Sequence, residues 1–223
     1  MNYEELVKYL FDNKDDNFAL FSKRLSNSSY ISIGVKTPVL RRLIKENVLN
    51  EELKLSDFEL GKYLEIDFLY FGLGLSRLNN IDSQLSFLSN NLKYALSWAI
   101  TDTLTSYLKK CDYSRFANFF YAHYRSNHVY TRRYAYVLGL HFSSDQRILH
   151  ILEDLETNED YMVTMAEAWL LSFIAIHYKD EVYKYLFECS DKELVRKTIS
   201  KIVDSYRFSD EEKNKFKSLR EKL

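Results

Sequence analysis

The chain holds two tryptophans, Trp98 and Trp169, and the first has an acid within reach. Trp98 and Asp102 are four residues apart in a stretch that reads as helix, so their side chains leave the same face. An indole face attracts a cation through its quadrupole, and a carboxylate attracts it by opposite charge. Such a pair suits a positively charged ligand, or a reaction in which positive charge develops. The same spacing also suits a core tryptophan with a solvated aspartate one turn later. Asp102 is the one carboxylate that stands out as a catalytic candidate.

Arginines and lysines suggest a second chemistry. Arg132 and Arg133 open the run RRYAYVLGLHF, and a guanidinium facing inward there would grip a phosphate through two parallel N–H···O bonds. Near the C-terminal end stand Arg196, Lys197, Lys201 and Arg207. Lys197 and Lys201 share a helical face, as a phosphate-tracking stripe would require. A solvated pair and an ordinary charged face account for the same residues. The five histidines form no HExxH pattern, Cys111 and Cys189 form no CxxC, and GxGxxG, P-loop and GxSxG strings are missing. No metal and no cofactor are therefore expected.

The elements that must position these groups are helices. Only five glycines and one proline punctuate 223 residues, too few for the turns of a sandwich or an α/β fold. Thr37-Pro38 reads as an N-cap followed by proline at the first helical position. Ser56 with Glu59, Ser190 with Glu193, and Ser209 with Glu212 read as capping boxes. Between these marks the pattern predicts helices over 3–12, 14–25, 38–48, 57–65, 67–78, 82–90, 92–109, 113–124, 128–141, 144–155, 160–177, 179–188, 191–206 and 209–220. Residues 26–36, SNSSYISIGVK, read as a loop with Gly34 at positive φ. Helix 92–109 should bury Leu92, Ala95, Leu96, Ala99, Ile100 and Leu104. Helix 160–177 is apolar nearly all round and should lie between neighbours. The architecture predicted is one all-α domain over 1–223, an α-solenoid of about six helical pairs with one concave face. Periodicity alone admits a globular bundle as well.

The N-terminal stretch is acidic from position 4 and has no leader-like apolar run, and no segment of about 18 apolar residues lacks charge. A cytoplasmic protein with no membrane association is expected, its two cysteines as free thiols. Net charge is −1, from 31 basic and 32 acidic residues, which is low for a protein that binds nucleic acid. A solenoid can nevertheless gather its cations on one face.

Five segments in register resemble the DNA alkylation repair enzymes, a family of HEAT-like repeat glycosylases: IGVKTPVLRRL at 33–43, SWAITDTL at 97–104, RRYAYVLGL at 132–140, MAEAWLLSFIAI at 165–176 and DKELVRKTISKIVDSYRFS at 191–209. The resemblance implies a right-handed superhelix of HEAT-like pairs that cradles duplex DNA on its concave face. It also implies a monomer that excises 3-methyladenine and 7-methylguanine without metal or cofactor. Asp102 would then stabilise the oxocarbenium-like sugar and place the attacking water. Trp98 and Trp169 would form an aromatic cleft. Arg133 would hold the backbone beside the lesion, with Arg132, Arg196, Lys197 and Lys201 along the strand.

The sequence departs from the family at two points, the near-neutral net charge and the segment before the Gly-x-x-Thr-Pro turn. Active members carry a short aromatic-bearing helix just before the Gly-x-x-Thr-Pro turn, where RLSNSSYIS reads as loop and Tyr30 sits close to Gly34. This departure implies an alternative: a catalytically inactive HEAT-like protein that recognises damaged or branched DNA. A third reading, a protein-binding scaffold, rests on the near-neutral charge alone.

Overall fold

The structure is a computed structural model that describes residues 1–26, 29–155, 158 and 160–222. Among the described residues it is all-helical, with thirteen α-helices, several single 3₁₀ turns and no strand. One isolated bridge joins Ile31 to Tyr63. The chain divides into two compact units, Met1–Asp112 and Tyr113–Leu223. Within each, a central apolar helix is packed by its sequence neighbours, the arrangement expected of an α-solenoid.

The first unit holds α1 (Tyr3–Asp12), α2 (Asp16–Ser26), α3 (Thr37–Asn47), α4 (Leu64–Arg77), α5 (Ile81–Asn91) and α6 (Trp98–Leu104). Its centre is α4, LEIDFLYFGLGLSR, which packs against α3, α5 and α6. The helix is apolar on every side, so burial on several faces is its stable environment. Two carboxylates, Glu65 and Asp67, are buried with it, at 1% and 0% exposure.

The second unit holds α7 (Tyr113–His123), α8 (Val129–Gly139), α9 (Leu149–Asp154), α10 (Tyr161–His177), α11 (Lys179–Glu188), α12 (Lys192–Asp204) and α13 (Asp210–Ser218). Here α10 is central and packs against α8, α11 and α12, as its all-round apolar sequence predicts. Asp160 caps it through Met162 N, and Ser209 with Glu212 forms the predicted capping box of α13.

Several local expectations are corrected. No helix covers 57–65: the backbone at Gly61 turns to φ +87, the Asp67 carboxylate takes the Gly61 N–H, and Tyr63 bridges to Ile31. The Ser56–Glu59 capping box is accordingly not formed, since Ser56 Oγ turns to Asp57 and Glu59 N–H donates to the Tyr3 hydroxyl. The long helix 92–109 is broken into a 3₁₀ turn (Leu92–Tyr94), α6 and a second 3₁₀ turn (Thr105–Tyr107), because Ser97 is extended and caps Ala99 N. Leu92, Ala95, Ile100 and Leu104 are buried as predicted, whereas Leu96 and Ala99 are half-buried. Asp191 rather than Ser190 caps α12, accepting from Glu193 N and Leu194 N. Lys36 occupies the N-cap of α3, which moves Thr37 and Pro38 into the first turn.

The loop expected over 26–36 is irregular from 29 onward, and Asn27 and Ser28 lie outside the described residues. Gly34 has φ +98, and a Cβ there would meet the Asp15 carbonyl oxygen at 2.2 Å. Only glycine fits that position. The turn is fastened by Glu65, whose Oε1 accepts from Ser32 Oγ, Gly34 N and Val35 N while Oε2 accepts from Ile33 N.

Candidate functional site

In the first unit, Trp98 is the first residue of α6, placed there by the Ser97 cap. Its indole Nε1–H donates to the Leu25 carbonyl at the end of α2, 3.2 Å away. This bond orients the ring while leaving it half-buried. The ring lines a mostly apolar cavity of about 220 Å³ together with Phe18, Phe21 and Leu25 of α2 and Leu64 and Phe68 of α4. Phe21 is 56% exposed, which is unusual for a large apolar side chain beside a hollow. Asp102 follows one turn after Trp98 and is also half-buried, its Oδ1 accepting from Thr101 Oγ1 at 3.2 Å. It does not line the cavity, although Ala99 and Thr103 of the same helix do. The carboxylate and the indole therefore share a helix, as their spacing predicts, with the hollow to one side.

In the second unit, three cations lean over three rings. Lys197 Nζ lies 5.0 Å from the centre of the Tyr161 ring, Lys201 Nζ lies 5.6 Å from Trp169, and the Arg207 guanidinium lies 5.0 Å from Phe173. The rings come from α10, where Trp169 and Phe173 are one turn apart and Tyr161 two turns before Trp169. The lysines come from α12, and Arg207 from just beyond it. Trp169 and Lys201 also line a shallow cavity of about 280 Å³ with Ser172, Phe173, Ile176 and Asp204. Half-buried Trp169 is thus neither sealed in the core nor isolated on the surface.

The two arginines of α8 behave differently from a phosphate clip. Arg133 is 6% exposed and its guanidinium donates to the Met162 carbonyl at 2.6 Å, on the first turn of α10. Arg132 is half-buried and donates to Ser126 O and to Asn158 Oδ1. Arg196 is exposed on α12.

Two acids that sequence reasoning passed over are perturbed by burial. Desolvation pushes Asp67 up to about 6, against hydrogen bonds from the Tyr30 hydroxyl and Gly61 N–H. It pushes Glu167, two residues before Trp169, up to about 8. Glu167 Oε2 accepts from Asn158 Nδ2 at 2.5 Å, and Oε1 has no partner among the described residues. Their positions inside apolar helices were the available signal. The aromatic row of α10 was legible too, in the four-residue multiples that separate Tyr161, Trp169 and Phe173. Among the described residues, no group of three or more His, Cys, Asp or Glu gathers as a metal ion would need.

The sequence model of the DNA alkylation repair enzymes matches residues 6–202, through most of both units. The chain belongs to that family. A role in the repair of alkylated DNA follows from the membership. Comparison with curated proteins returns no match. In this DNA alkylation repair protein the Trp98–Asp102 pair lies on one short helix, and aromatic and basic residues meet on α10 and α12. It also has a helix, α2, whose aromatic residues reach the Trp98 cavity from a position before the Gly34 turn. No helix among the described residues is long and apolar enough to cross a membrane.

Proposed function

We propose that this chain is a glycosylase that removes N-alkylated purines, 3-methyladenine and 7-methylguanine, from duplex DNA. The observation that carries the reading is the placement of Trp98 and Asp102 on one face of α6, both half-buried and the indole fixed by Leu25. Alkylation at a purine ring nitrogen makes the base cationic. The glycosidic C–N bond then breaks with its electron pair going to the base, which leaves neutral, while the sugar takes up the positive charge. A carboxylate held beside that sugar stabilises the charge as it forms, and an indole face adds cation–π attraction. Water then adds to the sugar carbon and gives up a proton. Asp102 is assigned the electrostatic role and Trp98 the contact with lesion and sugar. Phe21 and Phe18 of α2 stand where a helical aromatic residue can meet the lesion from the other side of the cavity.

In the second unit, Lys197, Lys201 and Arg196 of α12 are assigned to the DNA backbone and Trp169 to an aromatic contact. Arg133 is assigned to the seating of α10, because its guanidinium is buried on Met162 O. Arg132 is assigned to the segment at Asn158. The family match runs through both units, which supports treating 1–223 as one repair domain acting on DNA.

Release of 7-methylguanine from methylated DNA tests the reading. The wild-type protein should free the base above the spontaneous rate, and Asp102→Asn should slow release by about 10²-fold or more. No release by the wild type refutes the enzyme reading. A second reading, damaged-DNA binding without excision, is favoured by the burial of Arg133, which removes one expected phosphate contact. Binding without release would support it.

A further inference from the structure

One hydroxyl group ties the turn before α3, helix α4 and the approach to α6 together. The buried Tyr30 hydroxyl oxygen lies 2.5 Å from Asp67 Oδ2, 2.7 Å from the Tyr94 carbonyl oxygen and 3.1 Å from Leu96 N. Leu96 N–H donates to it. The hydroxyl has one proton, yet it faces two oxygens that accept. If Asp67 is ionised, the carboxylate is the stronger acceptor and takes that proton, leaving the Tyr94 carbonyl against a bare oxygen. If Asp67 is protonated, its O–H donates to Tyr30, and the Tyr30 proton passes to Tyr94. The two short O···O contacts, made at once, require two protons among three oxygens, and the protonated carboxyl supplies the second.

Tyr94 and Leu96 lie on either side of Ala95, two to four residues before Trp98, where the chain leaves its 3₁₀ turn and enters α6. We propose that Tyr30 and Asp67 are positioning residues for α6, a hydrogen-bond relay that fixes the entry of the helix and with it the placement of Trp98 and Asp102. The assignment of a catalytic purpose to that placement rests on the glycosylase reading above. The relay itself rests on the geometry alone.

The surroundings of Asp67 make the relay sensitive to protons. Gly61 N–H donates to both its oxygens, and Tyr30 is its side-chain partner. Tyr3 of α1 and Tyr70 of α4 also feel its charge, and Tyr94 acts on Tyr70. Burial holds the phenols of Tyr3 and Tyr70 above their ordinary range, so neither ionises where Asp67 does. The buried Glu65 two residues away spends its oxygens on the 32–35 turn. Asp67 therefore titrates near 6, and the relay closes below that pH and opens above it.

The test uses a readout independent of catalysis. In a Trp169→Phe background Trp98 is the one remaining tryptophan, and its emission reports the setting of α6. That emission should change with pH, with a midpoint near 6. Asp67→Asn supplies an amide N–H to Tyr30 as the protonated acid does, so it should hold the low-pH emission at every pH. Tyr30→Phe removes the hub and should abolish the transition and slow excision by between about 10- and 10²-fold, the scale of a misplaced catalytic group. Asp67→Asn alone carries the test if Tyr30→Phe does not fold. Emission that is flat with pH and identical in the Trp169→Phe protein with and without Asp67→Asn overturns the relay, even if the wild type excises the base. Emission that titrates as expected, when the wild-type protein with Trp169 intact excises nothing, upholds the relay and refutes the glycosylase reading instead.

Discussion

Substituting Glu167 by glutamine should change how stability depends on pH more than it changes stability at any one pH. The carboxyl lies inside α10 with 1% exposure, one oxygen bound by Asn158 and the other unpartnered among the described residues. Burial disfavours its charged form and raises it from an unfolded value of 4.5 to about 8 in the fold. Between those values the native state binds a proton that the unfolded chain has released. Stability from this group is therefore fully present below 4.5 and is lost as pH rises toward 8. The interval from 4.5 to about 8, at about 1.4 kcal/mol per pH unit, sets the full loss on the order of 5 kcal/mol. Glutamine cannot ionise. It keeps an oxygen for Asn158 and adds buried N–H groups, at a pH-independent cost of about 1 to 3 kcal/mol. Glu167→Gln should thus be the less stable protein in acid and the more stable one above pH 8. Urea unfolding of both proteins across that range measures the difference, in which every other titrating group cancels. Parallel stability curves would refute the reasoning, because they would mean that the carboxyl finds a compensating partner or water when it ionises.

Three further outcomes are expected. Replacing Lys197 and Lys201 together by alanine should weaken duplex binding for all sequences alike and reduce the slope of log affinity against log salt by about 2 units, measured by fluorescence anisotropy. Gly34→Ala should lower the melting temperature markedly, because the new Cβ would meet the Asp15 carbonyl oxygen at 2.2 Å in a backbone region closed to side chains. Trp169→Ala should weaken DNA binding more than stability. A large fall in melting temperature with unchanged binding would make that ring part of the core instead.

Most of the fold is legible in the sequence because its helices announce themselves locally. The apolar stripes, the Ser209 cap and the shortage of glycine define α1, α3, α5, α7, α8 and α10 to α13 to within a few residues. What escapes is set by partners distant in sequence. Nothing in FELGKYLE reveals that Asp67 will capture Gly61 N–H and that Tyr63 will bridge to Ile31, and so the helix expected there does not form. Nothing in LKYALSW reveals that the Tyr30 hydroxyl will claim Tyr94 and Leu96 and interrupt the helix before Trp98. The candidate site divides in the same way. The shared face of Trp98 and Asp102 follows from spacing, and so does that of Lys197 and Lys201. The seat of Arg133 on Met162 O does not, because either of two adjacent arginines fits the inner face until α10 is in place.

The fastening of the 32–35 turn by Glu65 has a consequence for how the first unit opens. Three backbone amides of the turn are held by a side chain of α4 and not by their own neighbours, so none can be freed while that helix stays folded around its carboxylate. The protons of Ile33, Gly34 and Val35 should consequently exchange with solvent deuterium at the rate of the α4 interior, although they lie outside any helix. Matching exchange rates would show loop and helix opening as one cooperative block.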